Sequence, residues 1–135
     1  MTKEEVYYMN PTVLAYLGDA VYEQFVRETM VLSGQVHADR LHHGAVRYVR
    51  AEGQALAIKQ MFEHLTAEEQ ALVKRARNKK ITSKPRNVDI YAYKWATAFE
   101  ALMGYLHLSG QTDRMKELMA EAIRRISDAE HGSAE

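Results

Sequence analysis

The sequence predicts an all-α fold in one domain, and three observations predict it. Apolar residues recur at three- and four-residue intervals along nearly the whole chain. The interruptions are helix punctuation: Asn10-Pro11, Ser33-Gly34, Thr66-Ala67-Glu68-Glu69 and Ser109-Gly110. Two segments, 14–22 and 95–104, are apolar on nearly every face, as buried helices are. At 135 residues the chain can bury a proper core but cannot hold two ordinary domains. The domain is placed at 1–135, with a core over about 10–127 and a frayed tail at 128–135.

Asn10 is an N-cap with proline in the first turn, and it opens a helix to about Val31 that Ser33-Gly34 ends. His37 to about Val49 and Ala51 to about Leu65 also carry helical spacing, with Leu41, Ala45, Tyr48, Val49, Ala55, Leu56, Ile58 and Phe62 as core positions. They are one interrupted helix or one bent near Gly53. Thr66 and Glu69 form a capping box that starts a helix to about Asn78. Ile81 to Val88, holding Thr82, Ser83, Pro85 and Asn87, is the longest loop. A second apolar helix runs from about Asp89 to Leu108, closed by Ser109-Gly110. The last helix, about Asp113 to Ile126, gathers Met115, Leu118, Met119, Ala122, Ile123 and Ile126 on one side.

The 18 basic and 18 acidic residues cancel, so net charge advertises no nucleic-acid partner. The distribution does. Lys74, Arg75, Arg77, Lys79, Lys80, Lys84 and Arg86 come with no acid among them, a patch that suits phosphates and equally suits a solvated helix end. The chain has no cysteine, which excludes disulfides and thiolate metal sites and fits a reducing cytoplasm. The acidic start, Met1-Thr2-Lys3-Glu4-Glu5, is unlike a secretory peptide, and no segment is long and apolar enough to span a bilayer.

Two acids stand where acids are rare. Asp19 shares its side of the first apolar helix with Ala15, Tyr22 and Val26, and Glu100 shares its side of the second with Ala96, Thr97, Met103 and Gly104. Both are expected to be buried, and a buried carboxylate needs a cation, a metal or a strong donor opposite it. Two such acids from two core helices suggest one shared site.

Leu17-Gly18-Asp19-Ala20-Val21 resembles the first signature of the ribonuclease III catalytic domain, and Phe99-Glu100-Ala101-Leu102-Met103-Gly104 resembles the second. Their order, their separation and the downstream Tyr105-Leu106-His107-Leu108 are similar too, so the resemblance covers most of the chain. In kind the chain looks like the Mini-III ribonucleases, bacterial proteins made of the catalytic domain with no double-stranded RNA-binding domain attached. The resemblance implies a magnesium-dependent endoribonuclease that cuts double-stranded RNA to 5′-phosphate and 3′-hydroxyl ends. It also implies a cytoplasmic homodimer whose substrate is the large-subunit (23S) ribosomal RNA precursor, with a ribosomal protein on that substrate as a further partner. Asp19 and Glu100 are then the catalytic and metal-binding residues, for Mg2+ with Mn2+ as a substitute, assisted by Glu23 and Thr97. RNA contacts are expected from Lys74, Arg77, Asn78, Lys79, Lys80, Lys84 and Arg86. The pattern departs at three places: Thr12 and Ala15 stand where full-length ribonuclease III has glutamates, and Thr97 where it has an aspartate.

Other chemistry is weakly supported. His37, His42 and His43 lack an acid at zinc-ligand spacing, and adjacent histidines on a helix face apart. Glu23 can pair with Arg27 four residues on as readily as it can assist Asp19. The tyrosines and Trp95 sit in apolar helices and suit a core or a subunit interface better than a base-stacking platform. Two rival readings remain: a non-catalytic helical RNA-binding protein of ribosome assembly, and an interaction module whose acids pair internally with Lys94 or Arg47.

Overall fold

Side-chain caps open four of the helices in a computed structural model that describes residues 1–132. In chain order the helices are α1 (Lys3–Tyr7), α2 (Pro11–Leu32), α3 (Ala38–Val49), α4 (Ala51–Met61), α5 (Ala67–Asn78), α6 (Ile90–Leu108) and α7 (Thr112–Gly132). A 3-10 turn, Phe62–His64, follows α4, and no strand occurs among the described residues. Asn10 Oδ1 accepts from the Thr12 amide at 2.9 Å to open α2. Thr66 and Glu69 exchange both capping-box bonds at the start of α5. Asp89 accepts from the Ala92 amide at 3.0 Å to start α6. The loop before α6 turns at Asn87, whose φ of 64° is left-handed, a conformation asparagine tolerates better than most residues.

Three expectations change. A short α1 precedes Asn10, held by a Thr2–Glu5 capping box. The break between α3 and α4 falls at Arg50, whose extended backbone ends one helix and caps the next, while Gly53 lies inside α4. The last helix continues beyond Ile126 to Gly132, so 128–132 are helical, and the rest of the expected frayed tail, 133–135, lies outside the described residues.

α6 is the central element. It packs most extensively on α2 and then on α4 and α5, and Ala98, Phe99, Ala101, Leu102, Met103, Tyr105 and Leu106 are buried. Around it Leu14, Tyr22, Val26, Ile58, Met61, Leu72 and Met119 close one core. The α2–α6 approach depends on two glycines. A Cβ at Gly18 would overlap the Glu100 carbonyl and press on the Gly104 amide nitrogen, and a Cβ at Gly104 would overlap the Leu14 carbonyl. Only residues without a side chain let the backbones cross this closely. At the far side, buried Glu69 accepts two bonds from Arg114 of α7, at 2.7 and 3.0 Å. Burial opposes the Glu69 charge, but the guanidinium and the Thr66 cap outweigh it and hold the carboxyl below its ordinary value.

Candidate active site

The α2–α6 crossing places the two acids. Asp19 directly follows Gly18, and Glu100 lies one turn before Gly104, so the contact that needs the glycines also brings the carboxylates together. Asp19 is exposed, contrary to expectation. Its neighbours at 15, 22 and 26 are buried, but α2 is open along another face, where Val13, Tyr16, Val31 and Leu32 meet solvent. Asp19 stands at the border between the two faces. An apolar pattern all round a helix does not say which of its faces the chain's own core covers.

Glu100 is half-buried. Burial first, then the charge of adjacent Asp19 and a proton the two can share, push its carboxyl up to about 8, while Gln54 opposes the rise. Gln54 is 1% exposed. Its Nε2 donates to the Val49 carbonyl at 2.8 Å and to Glu100 Oε2 at 3.3 Å, and its Oε1 is buried without a partner. Sequence reading missed Gln54. The available signal was an amide inside Gly53-Gln54-Ala55-Leu56-Ala57-Ile58, where every neighbour is small or apolar.

No cation of the chain pairs with either acid among the described residues. Arg47 pairs with Glu130 at 2.8 Å and stacks on Tyr48, and Lys94 lines a separate pocket. The internal pairing that an interaction module required is therefore not formed. Glu23 binds Arg27 at 3.0 Å, the ordinary use of its spacing. Thr97 is half-buried on the Glu100 side of α6, Thr12 is exposed near it, and Ala15 is buried. The described residues hold no cluster of three or more acids, histidines or cysteines that could cage a metal, so the site is a two-carboxylate one. That donor set fits magnesium, which is typically held by one or two carboxylates and otherwise by water and substrate oxygens. It also adds to the effect of burial, the larger cause of the raised Glu100 carboxyl, because two facing acids without a cation resist a second charge.

The basic stretch divides. Lys74 lies over the Phe62 ring, Arg77 over Trp95, and Arg75 over Tyr7 and Tyr8 while donating to the Tyr7 carbonyl. Arg77 also donates to Asn78 Oδ1 at 3.0 Å. Lys79 donates to Asn10 Oδ1, and Lys84 to the Val88 carbonyl at 3.1 Å. Lys80, Lys84 and Arg86 are exposed. The aromatic rings thus hold the first half of the patch in place, and the second half faces solvent beside the start of α6.

Residues 12–111 match the ribonuclease III domain family. The Mini-ribonuclease 3 of Thermoanaerobacter sp. (strain X514) is 39% identical over 128 residues, covering 95% of this chain and 90% of that relative. The Mini-ribonuclease 3 of Symbiobacterium thermophilum is 46% identical over 112 residues, covering 83% and 86%. Among solved structures, a crystal structure of a protein from Fusobacterium nucleatum is similar with a TM-score of 0.78 at 30% identity, over 87% of this chain and 93% of that one. The acid pair at the α2–α6 crossing lies inside the matched region, and on these findings the chain belongs to the ribonuclease III family, alongside the Mini-ribonuclease 3 proteins.

Proposed function

We propose that this endoribonuclease hydrolyses double-stranded RNA with magnesium held by Asp19 and Glu100, leaving 5′-phosphate and 3′-hydroxyl ends. The observation that carries the reading is the convergence of two carboxylates with no cation of the chain between them. When bound, a magnesium ion there supplies a water of lowered pKa and neutralises charge on the phosphate oxygens, and manganese, which favours similar oxygen ligands, substitutes for it.

The chain's own groups do the rest. Asp19, exposed, can be reached by a backbone phosphate from solvent, and Glu100 behind it keeps its proton near neutral pH until a cation displaces it. Gln54 fixes the Glu100 carboxylate from the buried side. Lys80, Lys84 and Arg86, exposed beside α6, suit phosphates of a duplex recognised through its A-form shape and 2′-hydroxyls, because the deep major groove of RNA hides its bases.

A second copy of the chain is the proposed occupant of the open α2 face. Val13, Tyr16, Ala20 and Val31 follow one helical stripe there, Tyr16 is 84% exposed, and the border position of Asp19 would bring each acid pair to the edge of that interface. No described helix is long and apolar enough to cross a membrane, and the absence of cysteine fits a cytoplasmic setting. The large-subunit ribosomal RNA precursor as substrate, with a ribosomal protein bound to it, follows the resemblance to Mini-III ribonucleases.

Incubating the protein with long double-stranded RNA, with and without magnesium, tests the reading. Cutting only with magnesium supports it. Binding without cutting in both conditions replaces it with the non-catalytic RNA-binding reading, and neither binding nor cutting removes RNA from the account.

A further inference from the structure

Beside the acid pair is a pocket of about 140 Å³ whose chemistry differs from that of the acids. Lys79, Lys80 and Lys94 line it together with the hydroxyls of Thr12, Thr82 and Thr97, and no carboxylate lines it. Among the described residues none of the three lysines has an ion-pair partner. Lys79 is oriented by Asn10, and Lys94 is half-buried on α6 between Tyr93 and Trp95. Three cations gather around one small volume with no acid among the lining residues to balance them, and an anion in the pocket supplies that balance. Lysines that only solvate a surface have no reason to gather around hydroxyls from α2, α6 and the intervening loop.

The position of the pocket selects the anion. Thr97 is three residues before Glu100 on α6, roughly 4.5 Å of helix, and Thr12 is seven before Asp19 on α2, roughly 10 Å. An anion seated there lies within reach of the neighbouring phosphates of any RNA strand whose scissile phosphate meets the acids. We infer that this pocket seats the non-bridging oxygens of an RNA backbone phosphate next to the cut, with Lys94 and Lys80 as positioning residues that set the strand over Asp19 and Glu100. The inference rests on the RNA-cleaving reading and adds to it a second, metal-free anchor.

The test uses the full chain and duplex RNAs in which one phosphate at a time, on either side of the cleavage position, is replaced by a neutral methylphosphonate. With wild-type protein, one replacement near the cut is expected to raise KM roughly tenfold with little change in kcat. Lys94→Gln is expected to raise KM on unmodified RNA by a similar factor, to lose sensitivity to that one replacement, and to reduce the log-log salt slope of binding by about one. Lys94→Arg, which keeps the charge, should recover most of the affinity. Lys80→Gln gives an independent reading if Lys94→Gln lowers helix content. Normal cutting in which neither variant changes KM, salt slope or sensitivity to the replacements overturns the phosphate seat and leaves the nuclease reading intact. Retained binding with that coupling but no cutting overturns the nuclease reading and keeps the seat. Equal losses with every modified RNA, unaffected by either variant, also count against the seat.

Discussion

Gln54 of α4 hydrogen-bonds Glu100 of the acid pair and the end of α3 with one amide nitrogen: its Nε2 donates to Glu100 Oε2 at 3.3 Å and to the Val49 carbonyl at 2.8 Å. A single buried amide group therefore ties a carboxylate to a backbone break two helices away. Gln54→Leu removes both bonds and leaves the Val49 carbonyl and Glu100 without a donor. The expected result is a fall of roughly 10–100-fold in metal affinity or cleavage rate, with unchanged helix content by circular dichroism. A variant with wild-type magnesium dependence would show that Glu100 needs no such support.

Asp19→Asn and Glu100→Gln each keep side-chain shape while removing charge from the pair. Each is expected to abolish cleavage and to leave duplex binding within a few-fold of wild type, and the double variant should be little worse than either single one because the acids act as one unit. Single-turnover cleavage assays beside filter binding check this. Near-normal cutting by either variant would place the chemistry elsewhere.

The raised Glu100 carboxyl predicts an unusual stability profile. Between its ordinary value of 4.5 and its folded value of about 8, the folded protein keeps a proton that the unfolded chain has released. The stability it contributes is full below the lower value and is lost as pH rises toward the upper one, on the order of a few kcal/mol. Metal-free Glu100→Gln should therefore have a flatter melting-temperature profile over that range and a higher Tm than wild type at its alkaline end. Parallel profiles for the two proteins would rule out the shift.

A proton and a cation compete for the same carboxylate, so acid should weaken magnesium binding. The magnesium concentration for half-maximal cleavage is expected to rise roughly tenfold for each pH unit below the Glu100 value. Titrating magnesium at several pH values measures it directly, and a pH-independent requirement contradicts the competition.

Gly18→Ala and Gly104→Ala both put a methyl group into backbone of the opposite helix. Overpacking of this kind costs about 1–3 kcal/mol and here also moves the acids apart. Chemical denaturation should show the loss, and activity should fall further than the stability loss alone explains. Wild-type stability in Gly18→Ala would mean that α2 and α6 can separate freely.

How much was legible in advance follows from what each signal measures. Caps act within four residues, so Asn10 and Thr66 marked their helices correctly, while Asp89, read only as the approximate start of its helix, is its cap. The capping box also disclosed Glu69, but only as a cap; its ion pair with Arg114, 45 positions away, is a tertiary event that no local pattern carries. The same limit hid the exposure of Asp19, since Val13 and Tyr16 are as apolar as Leu14 and Tyr22 although only the latter pair enters the core. The acid pair itself was legible because charge inside an apolar run is rare. Gln54, uncharged, broke its run less visibly, and Lys94 stood in the sequence as a rival partner for the acids before its place in the polar pocket was known.

The crossing at Gly18 and Gly104 has a mechanical consequence. Helices that pack along their length and meet at backbone atoms move as one unit, so the tightest part of the α2–α6 seam is also its least deformable part. Asp19 directly follows Gly18, and the Glu100 carbonyl is itself the group that Gly18 meets. The spacing of the two carboxylates is therefore anchored in backbone packing as well as in side-chain rotamers, and residues far from the seam can change without resetting it.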